Sequence, residues 1–331
     1  MTFPEAPRGE DVDPIVLPIG HGDPAFGFPR VAAHAKPSYF NTAELLAWAR
    51  RRFNQADVDA PAVTALVLLE HACGVSREFA LAHPEQPIPE TPAGHFRAFV
   101  ERRCAREPLA YLLGFREFYG RRFSVGPSTL IPRPETEDLV ELALKILDRA
   151  PHQGRLPSIL EVGTGSGVIA VTLLLERTAL HAVATDVDVR ALHVARENAR
   201  AHHVEDRLHL IASHLGECLE RTTEPTSSFF RLVVANLPYI PSGQIDDLAP
   251  EIAHYEPRRA LDGGPSGTSL ISETIRTIPR LIGAEGAAIF EIGEGQARPL
   301  LDEARAVLPR AQVSIVEDAA GAKRFLVVDQ G

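Results

Sequence analysis

The chain has 331 residues, 45% apolar and 24% charged, an ordinary balance for a globular protein with two domains, one large core and one smaller. A formal net charge of −10 offers no broad attraction to a phosphate backbone, which disfavours general nucleic-acid binding. Cys73, Cys104 and Cys218 suggest neither a metal spacing nor a disulfide framework, no apolar run is long enough for a membrane span, and no targeting peptide opens the chain, so a reducing, cytoplasmic setting is expected.

Residues 1–37 are rich in proline, glycine and acids, lack periodicity, and read as a disordered extension. Asn41 and Glu44 have capping-box spacing ahead of Leu45, Leu46, Trp48 and Ala49, which predicts a first helix. A second helix is expected from Pro61, a third over 76–82, and a fourth capped by Thr91 and running to about Arg106. Arg50–Arg52 and Arg102, Arg103, Arg106 fit solvated faces of these helices. Residues 38–108 therefore read as a small helical-bundle domain. A linking segment, 109–127, contains a hairpin predicted from the alternation over 115–125 around Gly120.

Residues 128–331 read as the larger domain. Two prolines in three residues, Pro132 and Pro134, force a stiff extended entry to a helix over 134–150. Strands are then predicted at 158–162, 181–185, 208–212, 232–235, 287–292, 313–317 and 324–328. Helices are expected up to 176, over 189–203, around 269–282 and around 296–308. This alternation predicts an α/β fold with a doubly wound, mostly parallel sheet. The turn 318–321 is too short for a helical crossover, so the last strand should run antiparallel.

Two motifs carry chemistry. Glu161-Val162-Gly163-Thr164-Gly165-Ser166-Gly167 lies between a predicted strand and helix, where glycines let the backbone turn and approach a ligand. Its spacing fits neither the dinucleotide fingerprint nor a P-loop. Asp186 ends the next strand, roughly 20 residues on, where a carboxylate can receive ribose hydroxyls. Asp188, just beyond, suits a helix cap. Asn236-Leu237-Pro238-Tyr239 ends the fourth strand beside the same crevice. It suits methyl transfer to an sp² nitrogen. The side-chain oxygen of Asn236 can accept one N–H, and the backbone carbonyl of Leu237 or Pro238 the other. Tyr239 can stack on the planar group and exclude water. Positioning of this kind can lower a barrier by roughly 7–11 kcal/mol.

With these residues in view, residues 40–329 resemble the HemK/PrmC family, the release-factor glutamine methyltransferases. Leu130-Ile131-Pro132-Arg133-Pro134-Glu135-Thr136-Glu137 is the most specific match. Pro108–Gly114 with Glu117–Gly120, Glu256-Pro257, Ala260–Gly264 and Asp318–Gly321 with Arg324 are also similar. The resemblance implies a class I methyltransferase-type sheet with a helical substrate-docking domain. It implies N5-methylation, from S-adenosylmethionine, of the glutamine in the Gly-Gly-Gln motif of peptide chain release factors. It assigns Gly163, Thr164, Gly165, Ser166, Gly167, Asp186, Asn236 and Arg133 to the cofactor; the plainer role for Arg133 is a salt bridge to Glu135 or Glu137. It assigns Asn236, Leu237, Pro238 and Tyr239 to the substrate, with Asn236, Pro238 and Tyr239 catalytic. No metal is implied, and no metal spacing accompanies the histidines. Two departures stand out: Leu237 replaces the family's usual proline, and Ser213-His214 replaces Ser-Asp.

Asn-Leu-Pro-Tyr also resembles the form found in rRNA adenine dimethyltransferases, so N6-adenine methylation of RNA or DNA is a rival. Methylation of a ribosomal-protein glutamine is a close variant. A non-enzymatic scaffold is the third reading, against which the glycines, Asp186 and Asn236 stand together.

Overall fold

Asn41 caps the first helix as the sequence predicts. In the computed structural model, which describes residues 40–149, 158–219 and 230–331, its side chain accepts from the Glu44 N–H at 2.8 Å and Glu44 accepts from the Asn41 N–H at 3.1 Å. Both halves of the capping box are therefore made, a stabilisation of about 1 kcal/mol. The expected extension at 1–37 lies outside the described residues. The bundle comprises β1 (Phe40–Asn41), α1 (Thr42–Gln55), α2 (Pro61–Cys73), α3 (Arg77–Ala82), β2 (Pro87–Ile88), α4 (Glu90–Cys104) and α5 (Leu109–Leu113). Thr91 is not a cap: α4 begins at Glu90 behind Pro89. Pro92 is tolerated in the first turn because backbone N–H groups there have no helical partner. Phe53, Leu68, Leu69, Phe96 and Val100 are fully buried and give these helices a core of their own.

The hairpin pairs β3 (Phe115–Phe118) with β4 (Arg121–Ser124), Phe118 opposite Arg121. Tyr119 and Gly120 turn it with φ of +50° and +70°, the mirror-image turn that matches strand twist. It does more than link: buried Phe118 and Phe123 join the core beneath the large sheet. Asn198 stitches it there. Its Oδ1 accepts from the Ser124 N–H at 2.7 Å, and its Nδ2 donates to the carbonyls of Ser124 at 3.0 Å and Ser166 at 2.8 Å.

The rest follows the predicted alternation: α6 (Glu135–Leu147), β5 (Ser158–Val162), α7 (Val168–Glu176), β6 (His181–Asp186), α8 (Val189–Ala201), β7 (Leu208–Ala212), β8 (Phe230–Ala235), α9 (Pro250–Tyr255), α10 (Ser269–Leu281), β9 (Ile282–Glu291), α11 (Ala297–Val307), β10 (Gln312–Glu317) and β11 (Lys323–Asp329). The short α9 carries too little periodicity to be predicted. The sheet order is β10-β11-β9-β8-β5-β6-β7. Strands β9, β8, β5, β6 and β7 are mutually parallel, and β11 runs antiparallel to both neighbours, as the short turn requires. Alternate side chains serve opposite faces. Leu232 and Val234 point to the core with α6, α7 and α8, whereas Val233 and Ala235 point to the core with α10 and α11. Among the described residues no helix is long and apolar enough to cross a membrane.

Candidate active site

Strand register assembles the site. Val162 pairs with Thr185 on one side and Ala235 on the other, and Ala235 pairs with Phe290. The next residue along each parallel strand is Asp186, Gly163, Asn236 and Glu291. These four form one row at the carboxyl edge of the sheet, where open α/β folds bind ligands. A cavity of about 340 Å³ opens above it.

The glycine loop turns over this edge. Gly163 and Thr164 both donate their N–H to the Thr185 carbonyl at 2.9 Å. Gly163 has φ +74°, and a Cβ there would lie 2.8 Å from Cδ2 of Leu237. Gly165 has φ +55° with open space where a Cβ would stand, so its backbone is bare to the cavity. Gly167 serves another purpose: it brings α7 against Ala195 of α8, where a Cβ would lie 3.0 Å from that alanine's Cβ. Thr164 and Ser166 line the cavity, and Gly167 does not.

Asp186 also lines it. One carboxylate oxygen accepts from the Gly165 N–H at 2.8 Å and the other from the Asp188 N–H at 2.8 Å. Burial pushes its pKa up, and these two N–H groups oppose the rise. Each oxygen keeps acceptor capacity for a ligand hydroxyl. Asp188 caps α8 through the Arg190 N–H and pairs with the Arg190 guanidinium.

The sequence does not single out Glu161 as a site residue, yet it is 1% exposed and lines the cavity floor. Its Oε2 accepts from the Thr164 hydroxyl at 2.7 Å and the Ala170 N–H at 3.1 Å. Burial, against those two hydrogen bonds, pushes its pKa up to about 8. The signal was an acid inside a buried strand, which ordinary core packing does not explain.

Asn236 lines the cavity and donates from Nδ2 to the Thr136 hydroxyl at 3.1 Å. Leu237 and Pro238 line it too. Leu237 is 3% exposed and packs its side chain under Gly163, so the position has a packing role as well as a backbone one. Tyr239 stands behind the cavity wall. Its hydroxyl lies 3.4 Å from Oε1 of Glu291, its ring lies against Gly293, and its carbonyl accepts from Gln296 at 2.7 Å. Thr136, within the proline-arginine-proline loop's continuation into α6, donates to Glu291 Oε2 at 2.9 Å. Glu291, an acid inside the apolar run of β9, is likewise not singled out by sequence.

Arg133 does not line the cavity. Its guanidinium donates to Glu256 Oε1 at 2.6 Å, while Glu256 Oε2 accepts from the Ile131 N–H at 3.0 Å. Its partner is thus neither Glu135 nor Glu137, and it braces the loop whose Leu130 and Pro132 form the wall. Glu256 directly follows α9. At the other end of α9, Glu251 accepts from Arg103 at 2.9 Å and Arg106 at 2.8 Å; Tyr255, the last residue of α9, donates from its hydroxyl to the Ala105 carbonyl at 2.6 Å. Beyond β7, Ser213, His214 and Leu215 complete the far wall, with His214 Nε2 3.0 Å from Glu273.

Residues 44–114 match the PrmC N-terminal domain family, and residues 136–264 match the family of ribosomal protein L11 methyltransferase (PrmA). The release factor glutamine methyltransferases of Nitratidesulfovibrio vulgaris and Cereibacter sphaeroides are each 37% identical to this chain. They cover 88% and 86% of it, and 96% of each relative is matched. Among solved structures, the hMettl16 catalytic domain in complex with MAT2A 3'UTR hairpin 1 is similar in fold. Its TM-score is 0.50 at 12% identity, over 90% of this chain and 95% of that one.

Proposed function

The chain belongs to the release factor glutamine methyltransferase family, and we propose that it methylates the side-chain amide nitrogen (N5) of the glutamine in the Gly-Gly-Gln motif of peptide chain release factors, with S-adenosylmethionine as donor. The observation that carries the reading is Asn236. It stands at the end of β8, level with the glycine loop and in the same cavity.

The residues present fit that donor. The bare backbone of Gly165 permits close approach, and Asp186 keeps lone pairs for ribose hydroxyls. Thr164 and Ser166 add hydroxyls to the same wall. When bound, S-adenosylmethionine supplies an electrophilic methyl group on a sulfonium. An amide nitrogen is a poor nucleophile because its lone pair is delocalised. Asn236 Oδ1 accepting one N–H, and the carbonyl of Leu237 or Pro238 the other, would face that nitrogen toward the methyl and raise its electron density as charge develops. Each such bond contributes about 1 kcal/mol net, more where water is excluded. Tyr239, behind the wall, supports the tetrapeptide from Glu291 and Gln296. Residues 38–108, with a core of their own, are proposed as the docking domain for the release factor, because a tripeptide alone offers too little surface for selectivity.

The test uses radiolabelled S-adenosylmethionine with purified release factor, ribosomal protein or undermodified RNA, the label being mapped by mass spectrometry. Label on the release-factor glutamine is expected. Label on RNA alone would replace this reading with adenine methylation, and cofactor binding without transfer would favour a scaffold. Asn236→Ala should abolish transfer while cofactor affinity stays within several-fold, and a fully active variant would refute the role given to Asn236.

A further inference from the structure

Asn236 is useful as an acceptor only if its amide is turned the right way round. Rotated by half a turn about its last bond, it would offer N–H groups to a substrate that is itself a donor. What surrounds it decides the orientation. Thr136 and Glu291 are 2% and 1% exposed; Thr136 edges the cavity beside Asn236, and Glu291 stands behind it. The three groups form a chain: Asn236 Nδ2 to Thr136 Oγ1 at 3.1 Å, and Thr136 Oγ1 to Glu291 Oε2 at 2.9 Å.

We infer that Thr136 and Glu291 are positioning residues that lock the Asn236 amide with Nδ2 held on Thr136 and Oδ1 left to accept from the substrate. The inference rests on the proposed reading of Asn236 as the acceptor and extends it to the groups that make it one.

The logic is a count of hydrogens. A carboxylate only accepts, so an ionised Glu291 takes the single hydroxyl hydrogen of Thr136. The Thr136 oxygen then has only lone pairs to offer, and Asn236 must present its NH₂. The flipped amide would set oxygen against oxygen. If Glu291 carries a proton it can donate to Thr136, which frees the hydroxyl hydrogen for Asn236 Oδ1 and permits the flipped state. The lock therefore depends on ionised Glu291. Burial pushes the Glu291 pKa up to about 7, with Thr136, Arg324 and Tyr239 opposing and Glu135 adding to the rise. Tyr239, itself pushed up to about 12, remains a donor to Glu291 throughout.

The experiment measures kcat and KM on release factor, with full-length enzyme, between about pH 6 and pH 8.5. It compares wild type with Thr136→Val, Thr136→Ser, Glu291→Gln and Asn236→Ala. Thr136→Val keeps the shape and removes the hydroxyl. It should lower kcat at least about tenfold, the equivalent of one oriented hydrogen bond, with cofactor affinity within about threefold. Thr136→Ser should restore most of the loss. Wild type should lose activity as pH falls through about 7, and Glu291→Gln, which cannot gain that proton, should lack this acid limb. Wild-type kcat in Thr136→Val overturns the inference. So does a serine variant as poor as the valine one, or an acid limb that survives in Glu291→Gln. Should Thr136→Val fail to fold, the serine and glutamine variants still decide. Inactive wild type, or a fully active Asn236→Ala, would instead overturn the reading beneath it.

Discussion

Replacing Glu161 with glutamine tests how a buried acid on the cavity floor affects the fold. Its carboxyl is 1% exposed and its pKa rises from 4.5 to about 8. Between those values the unfolded chain has released this proton and the folded chain still holds it. Wild-type stability should therefore fall as pH rises across that window and level off above about 8. The slope is up to about 1.4 kcal/mol per pH unit, and the whole window is worth on the order of 3–5 kcal/mol. The introduced glutamine would accept from Thr164 and Ala170 through its amide oxygen while carrying no charge at any pH. The stability of Glu161→Gln minus wild type should be near zero around pH 4.5 and grow steadily toward pH 8. Urea unfolding of both proteins without cofactor, at four pH values across the window, reads this difference directly. Titrating groups that are not coupled to Glu161 cancel in the subtraction; Asp186, which adds to the Glu161 rise, does not. Two curves that stay parallel would refute the reasoning, because burial of Glu161 would then carry no penalty for charge.

Gly163→Ala places a Cβ 2.8 Å from Leu237 Cδ2 at φ +74°, and should cost about 2 kcal/mol. In a Leu237→Ala background part of that cost should vanish, and simple additivity in urea unfolding would contradict the contact. Arg133→Leu removes the guanidinium from the buried Glu256 carboxylate, which among the described residues keeps the Ile131 N–H, and should lower stability by about 3 kcal/mol. Unchanged thermal unfolding would mean that the pair is dispensable. Asn198→Ala strands the Ser124 N–H and two carbonyls, and should cost about 2–3 kcal/mol. Faster hydrogen exchange at Ser124 is its specific signature.

The fold was legible because its signals are local. Asn41 and Glu44 announce a helix start, and alternating apolar runs announce the strands. The short turn from Asp318 to Gly321 announces the direction of β11, although not its place between β9 and β10. The tetrapeptide and glycine loop were legible for the same reason, each being contiguous. Thr136, Glu161 and Glu291 were not. For Thr136 and Glu291 the partners come from distant parts of the chain, Asn236 and Thr136 respectively, and only the fold brings them together. Glu161 has near partners in Thr164 and Ala170, but its burial is set by the strands on either side. Arg133 shows the complementary difficulty. Sequence offered it Glu135 and Glu137 as near partners, whereas folding brought Glu256 from more than a hundred residues away.

The short helix α9 acts as a gauge block. Glu251, near its start, meets Arg103 and Arg106 of the helical bundle, and Glu256, just past its end, meets Arg133 and Ile131 of the cavity wall. Its six residues span only about 9 Å, and one added or deleted residue would rotate one end against the other by about 100°. Both carboxylates could not then keep their arginines. This stretch should tolerate changes of residue type far better than changes of length. The bundle and the cavity wall are held in step by a number of residues, so the spacing between Glu251 and Glu256 is itself part of the structure.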